Sequence, residues 1–172
     1  GTLTDEENVL TSLWGEYNTS TKIAVFNHSV LLENPHFTLT SDTLKYNTNT
    51  KVATILGPSD IVSDANHIYS ERGIYNTHTG QAELLDRSVL TNEGKKMIGD
   101  SLFYDRNAGY GEAFYNVWMN DSVNKNVLKG DYCFYNELSG GALATDRAVA
   151  IDYSQGDSLY MHADTLRLVT FY

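Results

Sequence analysis

Ser41-Asp42-Thr43-Leu44-Lys45-Tyr46-Asn47 runs from a small residue and an acid to a tyrosine four places after the acid, then an asparagine. The same register returns at Gly99-Asp100-Ser101-Leu102-Phe103-Tyr104-Asp105 and at Gly130-Asp131-Tyr132-Cys133-Phe134-Tyr135-Asn136. Tyrosine followed by Asn or Asp stands at Tyr17, Tyr46, Tyr75, Tyr104 and Tyr135, at spacings of 29, 29, 29 and 31. The last four are preceded by Asp42, Glu71, Asp100 and Asp131, and Asp164 has the same setting with Leu168 in the tyrosine's place. A fixed period of this length marks stacked supersecondary units.

Within a unit, the residue before the acid is small (Ser41, Ser70, Gly99, Gly130, Ala163) and the residue three before it is aliphatic (Leu39, Ile68, Met97, Leu128, Met161). Apolar or small residues recur two places after the acid. The two apolar positions are five apart, an odd number, so a regular strand cannot bury both on one face. A bulge or bend is therefore expected at the small-acid pair. After each tyrosine comes a polar turn (18–21, 47–50, 76–80, 105–109, 136–141), rich in Asn, Asp and Gly, which reverse the chain readily. A second strand then begins near Ala24, Ala53, Ala82, Ala113 and Ala142. One repeat of 29 to 31 residues is thus two strands. Stacked as a parallel coil, the acids would form a like-charge ladder about 4.8 Å apart. An antiparallel stack separates them by about 10 Å, close to a Debye length, and suits the hairpin turns.

Composition agrees with an all-β chain: 12 Tyr, 6 Phe and 13 Gly with only 2 Pro favour strands and turns. The 3.6-residue period is confined to a possible short turn between Asp5 and Trp14, where Val9, Leu10 and Leu13 would share a face. A net charge of −10 argues against nucleic acid or an anionic membrane surface as partner. No run is long and apolar enough for a spanning helix. The one cysteine, Cys133, excludes an internal disulfide. No signal peptide opens the chain, so export implies its earlier removal.

The repeat resembles the OstA/LptA family, which includes the periplasmic lipopolysaccharide-transport bridge protein; the likeness spans about Leu13 to Leu168 and rests on the three segments quoted above. The resemblance implies a repeat-built, twisted open β-jellyroll of antiparallel strands, forming a single OstA-like domain over 1–172 or a piece of a longer chain. It further implies a non-enzymatic, cofactor-free periplasmic protein that binds the acyl chains of lipopolysaccharide or a similar glycolipid in a V-shaped groove. End-to-end strand addition would join it to other bridge proteins or to its own copies, in a bridge to the outer membrane. Two departures stand out: Leu13 occupies the acid's place before Tyr17, and Leu168 replaces the last tyrosine.

The groove-lining candidates are Phe26, Val30, Leu44, Tyr46, Ile61, Tyr75, Leu84, Val89, Leu102, Tyr104, Phe114 and Val117. The same alternation equally fills a closed core, which leaves a structural or adhesive repeat protein as an alternative. The apolar, uncapped stretch Leu166–Tyr172 reads either as a pairing edge or as the point where further repeats follow. The repeat acids lack the clustered ligands of a calcium loop, and His28, His36, His67, His78 and His162 form no close metal-ligand pair. Catalytic fingerprints are missing, but Asp42, Glu71 or Asp100 could supply the two carboxylates of a carbohydrate-active β-solenoid enzyme. Catalytic acids would converge in a cleft, whereas bend acids would point to solvent.

Overall fold

A computed structural model describes residues 1–168; the last four residues of the stretch read above as a pairing edge, 169–172, lie outside the described residues. Seventeen strands form one continuous hydrogen-bonded network, and every strand pair is antiparallel. The strands are β1 Thr2–Asp5, β2 Asn8–Thr11, β3 Trp14–Asn18, β4 Ile23–Asn34, β5 Phe37–Asn47, β6 Val52–Ile55, β7 Ser59–Ser63, β8 Asn66–Ser70 and β9 Arg72–Asn76. There follow β10 Gln81–Leu85, β11 Val89–Asn92, β12 Lys95–Ile98, β13 Ser101–Asp105, β14 Tyr110–Asp121, β15 Asn126–Asn136, β16 Ala142–Gln155 and β17 Asp157–Leu168.

The pairings divide this network into two arms. The first arm runs β3, β4, β5, β6, β9, β10, β13, β14, β15, β16, β17 and holds the repeat tyrosines. The second runs β1, β2, β4, β5, β7, β8, β11, β12, β14, β15, β16, β17. Six long strands, β4, β5 and β14 to β17, belong to both arms because they bend midway; in the central repeats the chain breaks into separate short strands at the same place. The two arms part at the line of bends.

The bend lies at the small-acid pair in level but is built on the facing strand. Asn27 pairs with Thr43 and Val30 with Ser41, so His28 and Ser29 oppose Asp42 alone. Phe114 pairs with Tyr132 and Val117 with Gly130, so Tyr115 and Asn116 oppose Asp131. The extra residues adopt left-handed backbone: His28 and Ser29 at φ 65° and 54°, Asp86 and Arg87 at 56°, Tyr115 and Asn116 at 62° and 51°, Asp146 and Arg147 at 59°. That conformation costs on the order of 1–2 kcal/mol per non-glycine residue. Each pair contains a His, Asp or Asn, the types that tolerate it best. The phase slip does what the odd spacing requires, since Leu39 and Leu44 are both wholly buried.

The hairpin turns fall where expected and cap themselves. Asn18, Asn47, Asn76 and Asn136 Oδ1 each accept backbone N–H groups two and three residues on, and Asp105 accepts one from Ala108. Successive turns are also stitched together: Thr48 N–H donates to Lys22 O, Thr77 to Lys51 O, Arg106 to Gly80 O and Glu137 to Gly109 O. Ala24, Ala53, Ala82, Ala113 and Ala142 are all buried, small enough to lie between the arms.

The expected helical turn near the N terminus does not form. Thr2–Asp5 and Asn8–Thr11 make a hairpin instead, in which Leu10 is buried and Val9 is 37% exposed, while Leu13 in the link to β3 is 78% exposed. Strand alternation, not a helical face, decides that Leu10 and not Val9 is inside.

Candidate functional site

The inner faces of the two arms meet in one apolar cluster from β2 to β16, with Leu3 of β1 and Leu166 of β17 packed against it. Ten of the twelve candidates belong to it: Phe26, Val30, Leu44, Tyr46, Ile61, Tyr75, Leu84, Leu102, Tyr104 and Val117 are all buried. Fully burying each such side chain is worth roughly 1.5–3 kcal/mol. Val89 and Phe114 are corrections. Val89 is half-buried and lies opposite Tyr69 and Ile98 on the outward face, while its neighbour Leu90 points inward. The positive-φ pair Asp86-Arg87 precedes Val89 and resets the alternation. Phe114, placed just before the Tyr115-Asn116 bend, also faces out and packs on the Tyr132 ring at 5.4 Å. It lines an outward cavity of about 400 Å³ with Leu85, Phe103, Tyr110 and Glu112.

The interior is packed rather than gaping, because the arm tips touch across the mouth between them. Asn8 Nδ2 donates to the Tyr46 hydroxyl at 3.1 Å and to Thr77 Oγ1 at 3.2 Å. Tyr46 in turn donates to Asp5 Oδ2 at 2.8 Å, and Lys51 Nζ lies 2.7 Å from the same carboxylate. Phe37 meets the Tyr75 ring edge-on with centroids 4.8 Å apart, capped by Arg106, whose Nη1 donates to the Tyr75 hydroxyl at 3.1 Å. Asn66 Nδ2 donates to the Tyr104 hydroxyl at 2.7 Å, and Lys95 Nζ sits 5.3 Å from the centre of the Tyr135 ring. Asn34 and Asn92 brace the asparagines, donating to Asn8 Oδ1 at 2.8 Å and to Asn66 Oδ1 at 2.6 Å.

Burial pushes the hydroxyls of Tyr46 and Tyr75 up to about 12. Tyr104 is raised further, by burial first and then by Glu137. Beside Tyr46 a polar cavity of about 380 Å³ opens at the mouth, lined by residues including Glu7, Asn34, Lys51, His78 and Arg106.

The repeat acids are corner residues. Asp42, Glu71, Asp100 and Asp164 are exposed. Asp100 accepts from Arg87 Nη1 and Asn116 Nδ2, both at 2.9 Å, and Asp131 pairs with Arg147 at 2.7 Å. Glu71 accepts from the Tyr69 hydroxyl at 2.8 Å, so the partners of Glu71, Asp100 and Asp131 are neighbours at the bend. All five histidines are exposed, and among the described residues no group of three or more His, Cys, Asp or Glu could hold a metal ion. Cys133 is buried and its thiol is pushed up to about 12 by that burial. Among the described residues no helix is long and apolar enough to cross a membrane.

The partners of the tyrosines were not singled out from the sequence. Asn8, Phe37, Asn66 and Lys95 stand 29 residues apart, so the periodicity that marks the tyrosines also marks what meets them.

A two-armed antiparallel stack around a continuous apolar interior is the architecture of a repeat-built all-β protein. The OstA-like protein family matches residues 1–42 and 36–100, more than half of the chain. The chain belongs to that family, whose members are transport proteins and not enzymes. Eighteen chains of solved structures are similar. One is LptH of Pseudomonas aeruginosa, the LptA homologous periplasmic component of the lipopolysaccharide transport device, with a TM-score of 0.53 and 18% identity over 59% of this chain and 80% of that one. At that identity the likeness is one of fold. Comparison with curated proteins finds no match.

Proposed function

We propose that this chain binds the acyl chains of lipopolysaccharide, or of a similar glycolipid, between its two arms and passes the lipid across the periplasm towards the outer membrane. The observation that carries this reading is the apolar interior that runs unbroken from Leu10 to Ala148 of an OstA-like chain. Alkyl chains supply the affinity, since each buried CH₂ contributes roughly 0.8 kcal/mol. The net charge of −10 disfavours holding an anionic head group by charge.

End-to-end addition to other bridge proteins, or to a second copy, belongs to the same proposal. In β17 Leu159, Tyr160 and Met161 are 69%, 60% and 58% exposed, whereas Leu128 and Met97 in earlier repeats are buried. An apolar strand left exposed among the described residues is a surface for pairing.

The test is competition. Purified protein should retain lipopolysaccharide in a pull-down, and lipid A should displace it while the deacylated core oligosaccharide should not. Displacement by the oligosaccharide alone would refute acyl-chain binding. The packed interior favours a second reading, a structural repeat protein that takes no lipid; retention of neither ligand by the folded protein would select it.

A further inference from the structure

The contacts across the mouth form one series. Asn8, Phe37, Asn66 and Lys95, at the tips of the second arm, meet Tyr46, Tyr75, Tyr104 and Tyr135 of the first, each pair 38 or 40 residues apart in sequence. At the line of bends the arms are joined by continuous backbone through the long strands. At the mouth the bonds named above run between side chains. The two arms thus have a backbone hinge on one side and a side-chain latch on the other.

A permanently sealed core has no use for this arrangement. Leucine or phenylalanine at Tyr46 and Tyr104, facing apolar residues at Asn8 and Asn66, would close the seam without burying hydroxyls and amides. Polar pairs are instead satisfied in two states: by each other when the arms touch, and by water or a polar head group when they part. We infer that the tyrosine ladder is a lateral gate, through which the alkyl chains of an amphiphilic ligand enter the interior from the side while its polar head group stays at the mixed-charge cavity lined by Glu6, Glu7, Lys51, His78 and Arg106. This inference rests on the lipid-binding reading above. The number and strength of the latches set the rate of entry, and the apolar interior sets the affinity.

Tyr46→Phe and Tyr104→Phe keep the ring, and hence the packing, while removing the hydroxyl. Stopped-flow uptake of lipopolysaccharide carrying a pyrene-labelled acyl chain should be about fivefold faster in each variant and about twenty-fivefold faster in the double variant. Tyr17→Phe is the control, because its hydroxyl bonds Thr48 within the same arm, and its uptake should be unchanged. A second readout needs no lipid: spin labels at Glu7→Cys and His78→Cys, which line the polar cavity from opposite arms, in a Cys133→Ala background. The double variant should add a longer distance to the closed one. Unchanged uptake rates together with an unchanged distance overturn the gate and leave lipid binding standing. Failure of every variant to take up lipid, with the distance still lengthened, overturns lipid binding and leaves the gate. Failure of both readouts overturns both.

Discussion

Tyr46 shows what one repeat position does. Its ring is wholly buried in the core, and its hydroxyl reaches the mouth to bond Asn8 and Asp5. Burial raises the ionisation of Tyr46 and Tyr75 to about 12 from an ordinary 10.0. The neutral phenol is the form the fold holds, so unfolded tyrosine ionises first as the pH climbs. Stability from this source is complete below pH 10 and is lost between 10 and about 12. Urea midpoints should therefore stay level from about pH 7 to 9 and fall steadily above 10. A midpoint that holds to pH 12 would show that these tyrosines are not buried as described.

At the scale of elements, the repeat unit was legible because its turns and alternation follow local rules. The Asn and Asp after each tyrosine cap their own turns, and the odd spacing from Leu39 to Leu44 demanded a slip in phase. The strand that absorbs the slip was not legible. His28-Ser29, Asp86-Arg87, Tyr115-Asn116 and Asp146-Arg147 share only one residue tolerant of left-handed backbone per pair, a weaker pattern than the acid they face. Val89 and Phe114, beside these pairs, face outward because the slip falls there, against the alternation the sequence predicts. The mouth is illegible for a different reason: among Asn8, Phe37, Asn66 and Lys95 the period holds but the residue type changes between amide, ring and amine, and only the fold shows that each meets a repeat tyrosine. The acids, by contrast, read correctly as bend residues. Asp100→Ala removes an exposed pairing with Arg87 and Asn116 and should cost under about 1 kcal/mol in equilibrium denaturation. A loss of several kcal/mol would mean that the corner depends on this carboxylate far more than an exposed ion pair allows.

The whole molecule is a stack whose last described strand, β17, carries exposed apolar side chains. Leu159, Tyr160 and Met161 of β17 have no further repeat over them among the described residues. Replacing Leu159 and Met161 by lysine should lower self-association in sedimentation velocity and leave the monomer's lipid binding intact; unchanged association would move the pairing surface away from this strand. On the function proposed above, the cargo lies between the arms. Site-specific photocrosslinking to lipopolysaccharide tests that most directly, with the reactive residue placed in turn at Leu44 and Leu102, both buried, and at the exposed Lys45. Labelling at the first two and not at Lys45 is the predicted result, and labelling at none of the three in a folded protein, or at Lys45 alone, would contradict it.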